Sequence, residues 1–331
     1  MSTDTKKWKP NFLSSGVPLE YEVAKLLVAA GFSVQGDYTY HRSTAGNDVE
    51  WSIDIRAIRD AGKVPGAARG CPFDVLVECK HRTRKTSWLF VPEPAGDAKT
   101  IQYDAVRGLE SFSPWFLPDL EWWTKPLEFT TCYKGVEVDF SNGHVEAAEL
   151  RHGLMQLQFA IPPLLRSRMD VPATSFGIID NTPLMFTAVL VTNAPLFVAN
   201  FDLSTASVED ADEISDVATP VDCLIVRMPD GQDLFHHARR HFSGLRETTS
   251  RKGIAAAEKH RKAAGVNEYD LPSSLAQRLE CSGDEIAAIT NVSSVFVSHV
   301  TYLPTLLREI NSIADRVASN ATSEMPPHWR F

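Results

Sequence analysis

The stretch "FDVLVECKHR", residues 73–82, ends an apolar run with a glutamate and a lysine two positions apart. Val75, Leu76 and Val77 read as a buried strand, and such strands usually stay apolar to their end. Period-two alternation puts Leu76, Glu78 and Lys80 on one face and Val75, Val77 and Cys79 on the other. A carboxylate and an ammonium on one face of a core strand ask for a chemical reason.

The preceding segment supplies a partner. "DVEWSIDIRAIR", residues 48–59, alternates with Val49, Trp51, Ile53 and Ile55 on one face and Asp48, Glu50, Ser52, Asp54 and Arg56 on the other. An antiparallel return through the turn "AGKVPGAARG" brings Asp54 beside Glu78. Two carboxylates about 4 Å apart repel by about 4 kcal/mol at an effective dielectric of 20, so the pair calls for a cation. Mg²⁺ suits such a site, since it takes one or two carboxylates and fills its other positions with water and substrate phosphate. The Cys79 backbone carbonyl offers a further oxygen, and Lys80 lies where it orients or deprotonates a metal-bound water.

These residues lie in a recognisable order. "PLEYEVAKLLVAAGF", residues 18–32, predicts a helix with Leu19, Val23, Leu26, Leu27 and Ala30 on its apolar face and Gly31 as its C-terminal cap. "FSVQGDYTYHR" reads as a strand interrupted at Gly36, followed by the two strands above. The helix, the three strands and the Asp54…Glu78-x-Lys80 spacing resemble the PD-(D/E)xK nuclease superfamily, with its restriction-endonuclease-like fold. "LEYEVAKLLVAAGF", "SIDIRA" and "FDVLVECKHR" look most similar to the Mrr-type branch. The resemblance covers residues 15–82 well and 144–192 loosely, and 201–331 lie outside it. It implies that Asp54 and Glu78 bind the metal, that Lys80 is the catalytic lysine and that Glu20 is an auxiliary ligand. Glu22 is the alternative to Glu20, because helix register decides which faces the strands. The implied cofactor is Mg²⁺, with Mn²⁺ as a substitute.

Two departures stand out. Ile53 precedes Asp54 where the family often has proline, and Ala160 stands where a Gln-x-x-x-Tyr motif starting at Gln156 would place its tyrosine. Asp74 lies on the Glu78 strand about 13 Å away by strand rise, too far to share an ion.

The remaining chain predicts an irregular insertion over about 83–142, rich in proline and tryptophan, with a helix near 97–111. A helix over 144–160 follows, ended by Pro162 and Pro163, then a strand, a turn at 193–195 and a second strand within 183–201. Beyond these come the strand "VDCLIVRM", helices over roughly 233–263, the strand "VSSVFVSHV" and a closing helix. The expected class is α/β: a restriction-endonuclease-like core with a central mixed sheet flanked by helices over 1–200, plus the insertion and a C-terminal α/β extension over 201–331 packed on it.

Composition narrows the setting. Apolar residues make up 44% of the 331 positions and charged residues 23%, which excludes wholesale disorder. Five scattered cysteines without a CxxC pair argue against a zinc knuckle and for a reducing cytoplasm. No signal peptide or membrane helix is expected. The net charge of −9 speaks mildly against nucleic acid, yet Lys80, Arg82, Arg84 and Lys85 cluster, as do the basic residues between Arg227 and Lys262. His237 and His241 in "DLFHHARRHF" sit i,i+4 without the glutamate of a zinc protease, and read as a basic helix face. Trp122 and Trp123 read as packing before base stacking. There is no P-loop or G-x-G-x-x-G.

The expected function is therefore Mg²⁺-dependent endonucleolytic hydrolysis of DNA, and the resemblance implies restriction or anti-phage defence as the setting. ATPase, helicase or sensing functions would come from a protein partner, and a homodimer is compatible with the sequence. The rival is a catalytically silent protein of the same fold that binds nucleic acid or scaffolds a defence complex.

Overall fold

A computed structural model describes residues 8–44, 47–62, 71–83, 85–94, 107–109, 129–174, 184–228, 231–242 and 294–323. After a short helix α1 (Trp8–Ser14), helix α2 (Val17–Ala29) starts behind Gly16 with Pro18 in its first turn. Leu19, Val23 and Leu27, each four residues on, form its buried face. Gly31, at φ 90°, ends it: the Phe32 N–H donates to the Leu27 carbonyl and the Gly31 N–H to that of Val28, the pairing of a Schellman cap.

Three antiparallel strands follow, β1 (Ser33–Thr44), β2 (Asn47–Ala61) and β3 (Cys71–Lys80). Among the described residues they begin a single mixed sheet of twelve strands. Further along the chain come β4 (Thr86–Pro92), β5 (Arg107–Leu109), β6 (Thr131–Asp139), β7 (His144–Glu146), β8 (Leu184–Thr192), β9 (Leu196–Ala199), β10 (Ala218–Val221), β11 (Cys223–Arg227) and β12 (Ser294–His299). The order across the sheet is β1-β2-β3-β8-β12-β11-β6-β4-β9-β10, with β5 beside β8 and β7 beside β6. Helices α3 (Ala148–Thr174) and α6 (Gln232–Phe242) cover one face, α2 and α7 (Leu303–Ser323) the other. Two short helices, α4 (Thr205–Glu209) and α5 (Ile214–Val217), precede β10. The α/β class with a large mixed sheet between helices is as the sequence predicts. No helix among the described residues is long and apolar enough to cross a membrane.

Three sequence expectations change. Residues 86–92 and 131–139, read as irregular insertion, are sheet strands, with Pro92 tolerated at a register shift in the pairing of β4 with β6. Gly135 makes the close packing there possible, because a Cβ would stand 2.6 Å from the Phe90 ring and 2.7 Å from Leu150 on α3. Within the expected helix at 97–111, residues 107–109 are a strand; the rest of it lies outside the described residues. Residues beyond 200 also enter the sheet itself, since β12 and β11 stand between β8 and β6.

A further change concerns Pro162 and Pro163. The helix begins at Ala148, after residues 144–146 pair as a strand, and runs through both prolines to Thr174. Each interior proline costs about 3 kcal/mol. Leu157, Ile161, Leu164 and Leu165 around them are buried, and each such side chain returns about 1.5–3 kcal/mol. The carbonyl that Pro163 deprives of an N–H is that of Phe159, and His237 Nε2 on α6 lies 2.9 Å from it. Burial lowers His237 to about 4, so the ring is neutral and serves as donor.

Candidate active site

Asp54 occupies a place where its strand loses both neighbours. The β2–β3 ladder runs from Ala61–Cys71 to Ile55–Val77 and stops, although β3 continues beside β8 as far as Lys80–Thr192. On the other edge, β1 and β2 pair at Gly36–Ile55 and again at Tyr38–Ile53, leaving Asp37 and Asp54 unpaired between them. Asp37 is left-handed, at φ 49°, a conformation aspartate tolerates better than most residues. The alternation breaks at this point. Ile53 and Ile55, expected on one face, belong to different cores, as do Tyr38 and Val34.

The opening between β2 and β3 is filled by side chains. The Cys79 N–H donates to Asp54 Oδ2 at 2.6 Å, a short charge-assisted bond. Because the N–H and C=O of one extended residue point to the same strand edge, the Cys79 carbonyl also faces the opening. The Lys80 carbonyl points the other way and accepts from Thr192 Oγ1. Glu78 Oε1 lies 2.8 Å from Lys80 Nζ, and Glu78 Oε2 accepts a long 3.4 Å contact from the Asp54 N–H. From α3, Gln156 receives Lys80 Nζ at 3.4 Å on Oε1 and donates from Nε2 to the Ser52 carbonyl at 2.8 Å. Gly153, one turn earlier, makes room: a Cβ there would stand 2.9 Å from Lys80 Cε.

The electrostatics are those of an overfilled acidic pocket. Burial, then the charge of Asp54, raises Glu78 to about 7 despite Lys80. Burial also raises Asp54, against the Cys79 N–H and Lys80, with Asp37 adding to the rise. Glu20 is raised by burial, then by Asp54 and Asp37. The Cys79 thiol is driven up by burial and by the same carboxylates, so it is unreactive. One ammonium thus faces the mutual repulsion of Glu20, Asp37, Asp54 and Glu78.

The structure brings together Asp54, Glu78, Lys80, the Cys79 backbone and Glu20; Glu22 is exposed on the far side of its helix turn. Sequence reasoning missed Asp37, Gln156 and Gly153. The only signal for Asp37 was its place after Gly36, where the strand pattern falters. Other candidates are spent structurally. Asp74 is clasped by Arg56 at 2.9 Å and Arg168 at 2.6 Å. Arg82 forms a two-pronged pair with Glu137 at 2.6 and 2.7 Å. Its backbone is tied to Asn193. His237 and His241 pack edge to face, 4.6 Å apart, and Arg240 pairs with Asp48. Arg84, Trp122, Trp123 and the basic residues from 246 to 262 lie outside the described residues.

Among the described residues, no three histidine, cysteine or acidic side chains form a ready metal cage. The donors present still suit a hard ion that needs only one or two carboxylates, a carbonyl and water. Asp54, the Cys79 carbonyl and Glu78 are that set once Glu78 is released from Lys80. Searches against family models, curated proteins and solved structures find no match for this chain.

Proposed function

We propose that the chain is a metal-dependent endonuclease of the PD-(D/E)xK kind, with a restriction-endonuclease-like core, that hydrolyses DNA phosphodiester bonds. The observation that carries this reading is the union of Asp54, Glu78 and Lys80 at the split between β2 and β3, in a pocket where burial pushes Glu20, Asp54 and Glu78 toward protonation. Such groups favour the arrival of a cation that restores their charged form. A bound Mg²⁺ polarises the scissile phosphate and lowers the pKa of its water.

The chain's own groups have defined tasks. Asp54, fixed by the Cys79 N–H, presents one carboxylate oxygen to the ion. Glu78 would hold the ion in place of Lys80, and the freed ammonium, steadied by Gln156, would donate hydrogen bonds that position the attacking water. Glu20 and Asp37 set the pocket's negative field and recruit the cation. Restriction or anti-phage defence is the proposed setting, with any energy-driven movement along DNA supplied by a partner.

A second reading keeps the fold and drops the chemistry. Lys80 already neutralises Glu78 at 2.8 Å, a contact a purely structural pair would also make. Incubating the protein with plasmid and Mg²⁺ or Mn²⁺ separates the two. Nicking or linearisation by wild type that is lost in Asp54→Ala and Lys80→Ala supports the enzyme. DNA retention with no cutting under any divalent ion supports the silent binder.

A further inference from the structure

Beside the acidic pocket lies a cation whose hydrogen bonds are unused. Arg42 on β1 is only 9% exposed, yet among the described residues it donates no hydrogen bond. Its guanidinium lies over the Phe159 ring at 3.7 Å from the centroid and over Trp51 at 5.2 Å. Among the described residues its one acidic ion-pair partner is Asp233, at 4.0 Å, on a side chain 86% exposed. Aromatic rings satisfy the faces of a guanidinium and leave its in-plane N–H edge unfilled. No Arg42 nitrogen is sealed from solvent without a partner, so this edge is open to an anion with two oxygens.

The surroundings indicate which anion. Exposed His152 on α3 stacks on Trp51 at 5.2 Å, and feels the charges of both Lys80 and Arg42. The cation and the stacking surface therefore lie on the α3 face of the sheet, with Trp51, three residues before Asp54, about 10 Å of strand from it.

We propose that Arg42 and His152, walled by Trp51, form a phosphate-binding subsite flanking the acidic pocket, which takes a phosphate group of the nucleic-acid strand. The inference rests on the nucleic-acid reading above. The phosphate is either an internal diester or a terminal monoester. Asp233 guards the entrance and is displaced by the ligand.

The test measures binding without catalysis. Anisotropy of 3′-labelled single-stranded oligonucleotides, bearing 5′-phosphate or 5′-hydroxyl, is followed with the full chain in chelator. Arg42→Gln is expected to weaken binding about tenfold and to flatten the salt dependence by about one phosphate contact. Asp233→Asn is expected to tighten it about threefold, and Asp54→Ala to bind at least as well as wild type. Equal loss with both oligonucleotides assigns an internal phosphate; loss confined to the 5′-phosphate form assigns a terminal one. Arg42-dependent binding without cleavage in Mg²⁺ keeps the subsite and sinks the hydrolysis reading. Unchanged affinity in a natively folded Arg42→Gln overturns the subsite, whatever the cleavage result, as does a wild type that binds neither oligonucleotide. Should Arg42→Gln fail to fold, an Asp233→Asn protein with wild-type affinity overturns it instead.

Discussion

The Cys79 N–H and the Asp54 carboxylate, 2.6 Å apart, join β2 and β3 just beyond their last ladder pair, Ile55–Val77. Asp54 is therefore held by a backbone donor, and charge and anchoring can be separated. Asp54→Asn keeps an acceptor for the Cys79 N–H, whereas Asp54→Ala leaves that donor unpaired at a cost of about 1–3 kcal/mol. Both variants should lose cleavage about a thousandfold or more. Thermal melting should show a drop for Asp54→Ala well beyond that for Asp54→Asn.

Gly153 offers a substitution that spares the fold and disturbs the chemistry. Alanine in a helix gains about 1 kcal/mol of intrinsic stability over glycine. Here its Cβ would meet Lys80 Cε at 2.9 Å and Leu190 at 3.1 Å. Gly153→Ala should melt within a few degrees of wild type while cleaving about a hundredfold more slowly, because Lys80 is pushed off Glu78 and Gln156. Wild-type turnover would mean that Lys80's position is irrelevant.

Stability should depend on pH through two opposed groups. Glu78, raised to about 7 from the ordinary 4.5 of a free glutamate, binds a proton more readily folded than unfolded. Its contribution is present below about pH 4.5 and lost as pH rises through 7. His237, lowered to about 4 from 6.5, does the reverse: its contribution is present above 6.5 and lost as pH falls through 4. Metal-free Glu78→Gln should therefore gain melting temperature relative to wild type progressively as pH rises from about 4.5 to about 7, while both proteins lose stability through His237 as pH falls from about 6.5 through about 4. Parallel pH profiles for the two proteins would contradict the assignment to Glu78.

His237 should behave as a cap and not as a ligand. His237→Ala leaves the Phe159 carbonyl without the partner that Pro163 denies it, a loss of about 1–3 kcal/mol. Any effect of zinc on melting should be the same in His237→Ala as in wild type. Pro163→Ala restores an N–H in the helix, so the double variant should be more stable than His237→Ala alone. Simple additivity of the two changes would refute the coupling.

How much the sequence revealed follows the reach of each signal. Strand alternation is local, and it placed Glu78 and Lys80 on one face and Asp54 on the next strand. For Glu20, the buried Leu19–Val23–Leu27 stripe of α2 turns it toward the sheet and leaves Glu22 exposed. Gln156 reaches Ser52 across 104 residues, and His237 reaches Phe159 across 78, so neither relationship has a local signature. The proline pair was misread for the same reason: the burial and the cap that tolerate it come from distant elements. β4 and β6 were hidden because Pro92 and Gly135 break the usual strand pattern, and the fit of Gly135 depends on Leu150 of α3. Asp37 was invisible because its importance comes from the unpaired position opposite it on β2.

The buried triad of Arg56, Asp74 and Arg168 should be purely structural. Removing the shared carboxylate in Asp74→Ala strands two arginines, at a cost of about 3–5 kcal/mol. Any protein that still folds should keep the metal dependence of wild type in a cleavage titration.

Calorimetric titration of Mn²⁺ into the purified chain, without DNA, tests the account most directly, because it needs neither substrate nor partner. Wild type should bind the ion and release protons as it does so, and Asp54→Ala and Glu78→Gln should each lose that binding, while Glu22→Gln keeps it. Equal Mn²⁺ binding by wild type and Asp54→Ala, or none by wild type, would contradict the claim that the split between β2 and β3 is built to hold a divalent ion.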